Sequence, residues 1–161
     1  MRYLVRHRIF SIPASFWITD EDGNEVFYVD GESLVKQTFQ LADREGNVLA
    51  VIRKQFFRLR GTMDIERDNA VIATVTQAMF SPFSHRYDIS LGDGNGWLAQ
   101  GDFTDMSWEL LDGGRVVGRI SRQWFKARDT FGVEVEPGQD AALVIAIAVA
   151  IDRLREDAQH K

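Results

Sequence analysis

Short runs of alternating apolar and polar residues fill most of this chain, and the alternation stops only near its end. In the first half the pattern predicts strands over Tyr3 to Phe10, Ser15 to Thr19, Glu25 to Asp30, Leu34 to Ala42, Val48 to Gln55 and Met63 to Glu66, rich in β-branched and aromatic residues. Turn-forming sequences such as Asp22-Gly23-Asn24 and Glu45-Gly46-Asn47 separate them. The second half repeats the rhythm over Val71 to Ala78, His85 to Ser90, Trp97 to Gln100, Met106 to Leu111, Arg115 to Gln123 and Thr130 to Val135, which brings the expected total to about twelve.

The last element differs. Asp140 stands at an N-cap position after Pro137-Gly138, and Ala141 to Ile151 then runs without a polar side chain. A helix that is apolar on every side must be surrounded on every side. Eleven residues span only about 16 Å, roughly half a bilayer's hydrocarbon core, so enclosure by protein is the better reading than a transmembrane span. A sheet of about twelve strands closed around the helix supplies that enclosure, with Ala146, Ala148 and Ala150 as the thin positions where strands approach. The expected fold is therefore a mainly β, closed antiparallel barrel around a helix spanning about residues 140–155, in a single domain over residues 1–161.

The chain also repeats itself. RKQFFRLRGT (Arg53 to Thr62) is answered by SRQWFKARDT (Ser121 to Thr130), and Phe56 to Trp124 is 124 − 56 = 68 positions. Gly31 matches Gly101, Asp43 matches Asp112, Gly46 matches Gly114, Ile52 matches Ile120 and Thr62 matches Thr130, at offsets of 68 to 70. A constant spacing marks two six-stranded pseudo-repeats, about residues 3–66 and 71–135.

Composition narrows the function. A length of 161 residues at 45% hydrophobic content suits one domain with a real core. The net charge of −5 speaks against a surface built for nucleic acid, and none is expected as a partner. With no cysteine there is no disulfide, thiolate metal site or Cys nucleophile. The N-terminal MRYLVRHRIF lacks the apolar core of a signal peptide, which makes the cytoplasm the expected location. Catalysis finds little support. Ser84 and His85 are neighbours on an expected strand and face opposite ways, His7 lies within another strand, and His160 is in the tail. Gly92-Asp-Gly-Asn-Gly96 has no Gly-Lys-Ser/Thr ending and reads as a hairpin turn. No catalytic residue and no cofactor is expected.

The order of two six-strand halves and a terminal apolar helix resembles the LURP-one-related proteins, relatives of the tubby C-terminal domain and the phospholipid scramblases. The motifs that carry the likeness are Asp43 to Gly46, Gly101-Asp102-Phe103, Ile120-Ser121-Arg122-Gln123-Trp124 and Asp129-Thr130-Phe131-Gly132-Val133. The resemblance implies a tubby-like barrel and association with lipid, tubby domains binding phosphoinositides and scramblases being linked to lipid movement. Most LURP-one-related members have no established activity. The stretch from Asp129 to Asp140 is also similar to the scramblase segment that carries a suggested calcium site. Asp129, Glu134, Glu136 and Asp140 do not follow EF-hand spacing, so no metal is expected and these four are the only candidates.

The two basic-aromatic segments remain as the candidate site. Arg53, Lys54, Arg58, Arg60, Arg122, Lys126 and Arg128 are the expected ligands of an anionic headgroup, with Phe56 and Trp124 as interface aromatics. The expected function is a non-catalytic module for anionic lipid or a phosphate-bearing ligand, peripheral to a membrane. Two competing readings stand beside it. In one, Phe57 and Phe125 point inward onto the helix and the flanking charges only keep the hairpins apart. In the other, the module binds a protein through Trp17, Trp97 or Trp108.

Overall fold

In the computed structural model, which describes residues 1–6, 15–33, 37–78, 86–101, 107–122 and 130–159, twelve strands close into an antiparallel barrel. The strands are β1 (Arg2–Arg6), β2 (Ser15–Thr19), β3 (Glu25–Ser33), β4 (Thr38–Asp43), β5 (Val48–Lys54), β6 (Thr62–Arg67), β7 (Ala70–Gln77), β8 (Arg86–Leu91), β9 (Gly96–Gly101), β10 (Ser107–Asp112), β11 (Arg115–Ser121) and β12 (Thr130–Val135). One helix follows, α1 (Ala141–Gln159). Each strand pairs with its sequence neighbours, and β1 pairs with β12 through Arg2 to Arg6 to close the ring. Partners in the internal match fall six strands apart: Gly31 in β3 and Gly101 in β9, Ile52 in β5 and Ile120 in β11.

Tight turns make this winding local. Asp20 and Asp43 each accept the N–H groups of residues two and four positions on, at 2.8 to 3.0 Å, and so close the β2–β3 and β4–β5 turns before any tertiary contact forms. Asp68 and Asn69 join β6 to β7 with φ of 52° and 64°, the left-handed pair of a type I′ hairpin.

Inward positions alternate along each strand and meet α1. Val5, Ile18, Leu41, Ile52, Ile65, Val75, Leu110 and Val133 are fully buried, as are Val144 to Ala148 of the helix. Enclosure is what lets an all-apolar helix exist in water, since each buried aliphatic side chain is worth about 1.5–3 kcal/mol. Outside, the wall is charged: Arg53 pairs with Glu66, Arg86 with Asp88 and Arg119 with Glu109. This polarity, apolar within and ionic without, is the inverse of a membrane-spanning barrel. Among the described residues no helix is long and apolar enough to cross a membrane.

Because the strands alternate in direction, β1, β3, β5, β7, β9 and β11 all end at one rim, here called the near rim, and α1 enters from the far rim and runs toward it. Leu154 arrives beside Gly61, where an added Cβ would stand 3.1 Å from its Cδ2. Asp152, still buried, and Arg153 lie at the level of this same rim, Arg153 5.6 Å over the ring of Phe39.

Candidate functional site

The connection from β5 to β6 projects from the near rim on a fixed base. Gln55 N–H donates to the Thr62 carbonyl at 2.9 Å, the Gly61 carbonyl accepts from Gln77 N–H at 2.8 Å, and the Thr62 hydroxyl donates to the Arg60 carbonyl at 2.9 Å. The five residues between leave the wall. Phe57 and Leu59 are each 103% exposed, as open as in an extended peptide, and Phe56 is 52% exposed. Lys54 sets its ammonium 5.9 Å from the Phe56 ring centroid, within cation–π range. Arg58 and Arg60 are exposed, and neither has an ion-pair partner among the described residues.

This corrects the inward reading of Phe57. The sequence pairs it with core-like aromatics, but the chain leaves the strand ladder after Lys54, and no inward face exists where it lies.

The other candidates distribute differently. Arg53 stays on the outer wall of β5, paired with Glu66. Arg122, immediately after β11, turns inward and pairs with Asp152, which is 5% exposed. That pair is a fastening between wall and helix, which leaves Arg122 off the outer rim. Trp124, Lys126, Arg128 and Asp129 lie outside the described residues, as do Phe125 and all three histidines with Ser84. The strand ends that flank this segment, Ser121 and Thr130, are at the near rim, half-way round the ring from Lys54 and Thr62. The strand ends that flank the two basic-aromatic segments therefore share one rim but not one side.

The remaining carboxylates considered for calcium are each engaged by a guanidinium. Glu134 accepts from Arg2 at 2.8 Å and from Arg119 at 3.0 Å, and Glu136 accepts from Arg119 at 2.9 Å. The Arg2 hydrogen bond holds the Glu134 carboxyl below its ordinary range against the opposing effect of desolvation, and Arg119 adds to the lowering. Asp140 accepts from Arg67 at 2.8 Å and caps α1 through Leu143 N–H at 3.2 Å. Such an arrangement uses the oxygens that a hard cation would need.

Of the tryptophans, Trp108 is 2% exposed and packs inside the barrel, so it is no surface anchor, Trp97 is partly buried, and Trp17 is 39% exposed. Leu59 is the residue at the tip that the sequence reading passed over. Nothing in the sequence signals it, because Phe57-Arg58-Leu59-Arg60 keeps the strand alternation past the point where the ladder ends.

Comparisons with known proteins agree with the architecture. The chain is 26% identical over 150 residues to the uncharacterised protein YxjI of Bacillus subtilis (strain 168), covering 92% of this chain and 90% of the relative. A crystal structure of a protein from Arabidopsis thaliana shares the fold with a TM-score of 0.69 at 20% identity, over 96% of this chain and 91% of that one. Neither the family description nor the relative's name carries an activity. Residues 1–152 match the LURP-one-related family, and the chain belongs to that family.

Proposed function

We propose that the chain is a non-catalytic binding module that docks on an anionic membrane surface with its near rim. The observation that carries this reading is the tip of the β5–β6 connection, where Phe57 and Leu59 stand fully in water with Arg58 and Arg60 beside them. Two large apolar side chains held in water cost the free protein about 1.5–3 kcal/mol each relative to burial. A lipid interface removes that cost by taking the ring and the isobutyl group among the acyl chains. The adjacent guanidinium groups remain at headgroup level, each worth about 1 kcal/mol beside anionic lipid. Lys54 belongs to the same cluster, and the sequence carries two further cations, Lys126 and Arg128, in the second segment. A phosphate-bearing headgroup is the ligand chemistry that Arg favours, because its fork matches phosphate oxygens.

The test is co-sedimentation of the full chain with neutral and anionic vesicles at low and physiological salt. The variants are Arg58→Glu with Arg60→Glu, Phe57→Ser with Leu59→Ser, and Lys126→Glu with Arg128→Glu. Salt-sensitive binding to anionic vesicles, weakened by the first two pairs, is the expected result. Absence of wild-type binding at low salt overturns the lipid reading and makes a protein the partner of the same tip.

A further inference from the structure

A groove of about 900 Å³ lies along the seam between β1 and β2, away from the near-rim tip. The seam has the shortest ladder in the ring among the described residues: Leu4 pairs with Thr19 and Val5 with Ile18. Beyond them toward the far rim the strands part, and Arg2 N–H donates to the Glu21 carboxylate at 2.8 Å in place of a strand partner. The groove runs past this short ladder on both sides, from Ser15 and Phe16 to Asp20 and Glu21.

Its floor is aromatic and its far-rim edge acidic. Trp17 and Tyr28 are direct cross-strand partners on the outer face, their rings 4.9 Å apart and tilted by 51°. The next outward pair on the same face is Thr19 with Glu25, about 7 Å along the strands. Asp20 and Glu21 follow at the turn. The Asn24 N–H, the largest influence, holds the Asp20 carboxyl below its usual range. Burial raises the Tyr3 hydroxyl, and the negative charges of Asp20 and Glu21 raise it further, which places that ring in their field. Arg2, the cation among the described lining residues, is held by Glu134 at 2.8 Å.

We propose that this groove binds a small organic ammonium cation, its alkylated nitrogen resting on Trp17 and Tyr28 and its charge facing Glu21 and Glu25. The chemistry selects the class. An anion meets three carboxylates, and a hydrated metal ion gains nothing from an indole face. A neutral ligand makes no use of the acidic edge. An alkylammonium uses both, since aromatic faces attract a weakly hydrated cation and the carboxylates line the same groove. The volume lies within the range of small-molecule sites. The inference goes beyond membrane docking and uses none of its residues.

The experiment is an NMR titration of the isotope-labelled full chain with choline and, separately, with its neutral carbon isostere, following the Trp17 indole N–H assigned through Trp17→Phe. A saturable shift of that signal by choline is expected, with binding about tenfold weaker for the neutral isostere and for Glu21→Gln with Glu25→Gln. Phe57→Ser with Leu59→Ser leaves the titration unchanged. Phosphatidylcholine vesicles form a further arm: competition with free choline at Trp17 identifies a headgroup as the source, and binding of free choline alone identifies a soluble metabolite. No shift of the Trp17 signal by choline, equal affinity for the neutral isostere, or a response to a lysine-rich peptide without one to choline overturns the proposal.

Discussion

Gly118 of β11 passes so close to Val144 of α1 that a Cβ at this position would stand 2.9 Å from the Val144 Cγ1 and 3.2 Å from the Glu134 carbonyl oxygen. The barrel approaches its helix here through a missing side chain, and the backbone oxygen on the other side leaves little room to yield. Gly118→Ala is expected to destabilise the fold by about 1–3 kcal/mol through overpacking. Adding Val144→Ala relieves the side-chain clash, so the double variant should lose less than the sum of the two single losses. Urea unfolding of the four proteins measures this coupling, and strict additivity would show that the helix does not press on β11.

Arg122 and Asp152 tie the end of β11 to the last buried turn of α1. Removing one partner leaves the other buried without its counter-charge, which costs about 3–5 kcal/mol. Asp152→Ala is therefore expected to lower the urea midpoint sharply. Arg122→Met combined with Asp152→Leu should recover most of the loss, because apolar groups of similar size suit this site. A double variant as unstable as Asp152→Ala would show that the pair does more than neutralise itself.

The fold was legible because its two periods are distinct. Ser15 to Thr19 and Thr130 to Val135 have the strand bounds that the alternation predicts, and the run from Ala141 to Ile151 could only be enclosed. The other strands begin or end a few residues from the expected points, and α1 runs on to Gln159 instead of stopping near residue 155. Site residues were harder to read because a sequence period says which face a side chain takes only while the strand lasts. Phe57 looked like core since its neighbours alternate, yet the ladder stops at Lys54. Arg122 looked like a rim cation, since nothing in the sequence says that Asp152, 30 residues on, ends beside it inside the barrel. The groove beside Trp17 and Tyr28 is lined by residues of β1, β2 and β3 together, a tertiary fact with no local signature.

Asp140 joins two tasks, capping α1 and holding Arg67 of β6. Burial alone would raise its carboxyl, but the Arg67 hydrogen bond and the Leu143 N–H outweigh it and set the folded pKa below the ordinary value. A depressed carboxylate contributes stability that is fully present above its unfolded pKa of about 3.9 and is lost as pH falls through the folded value. Below about pH 4 wild type should therefore lose stability more steeply than Asp140→Asn. At pH 7 the cap substitution Asp140→Ala should cost about 0.5–2 kcal/mol. Denaturant midpoints across acid pH check both, and parallel curves would remove Asp140 from the acid response.

Ile147 is fully buried at the middle of α1, with barrel wall on every side. Ile147→Asp places a carboxylate where no partner can reach it, at a cost of several kcal/mol against a total margin of about 5–15. Loss of the cooperative unfolding transition is the expected outcome. A folded Ile147→Asp protein with wild-type near-UV circular dichroism would contradict the enclosed-helix architecture.

Phe57 and Leu59 invite the opposite expectation. A side chain with no neighbours gives the folded state nothing, so Phe57→Ser with Leu59→Ser should change the unfolding free energy by no more than about 0.5 kcal/mol. The base of the connection is pinned by Gln55, Gly61 and Thr62, and none of these hydrogen bonds uses either side chain. An unchanged urea midpoint would leave partner binding as the role for the two apolar residues. A loss above about 2 kcal/mol would mean that they pack against the protein in solution, and the rim would have no apolar tip to offer a membrane.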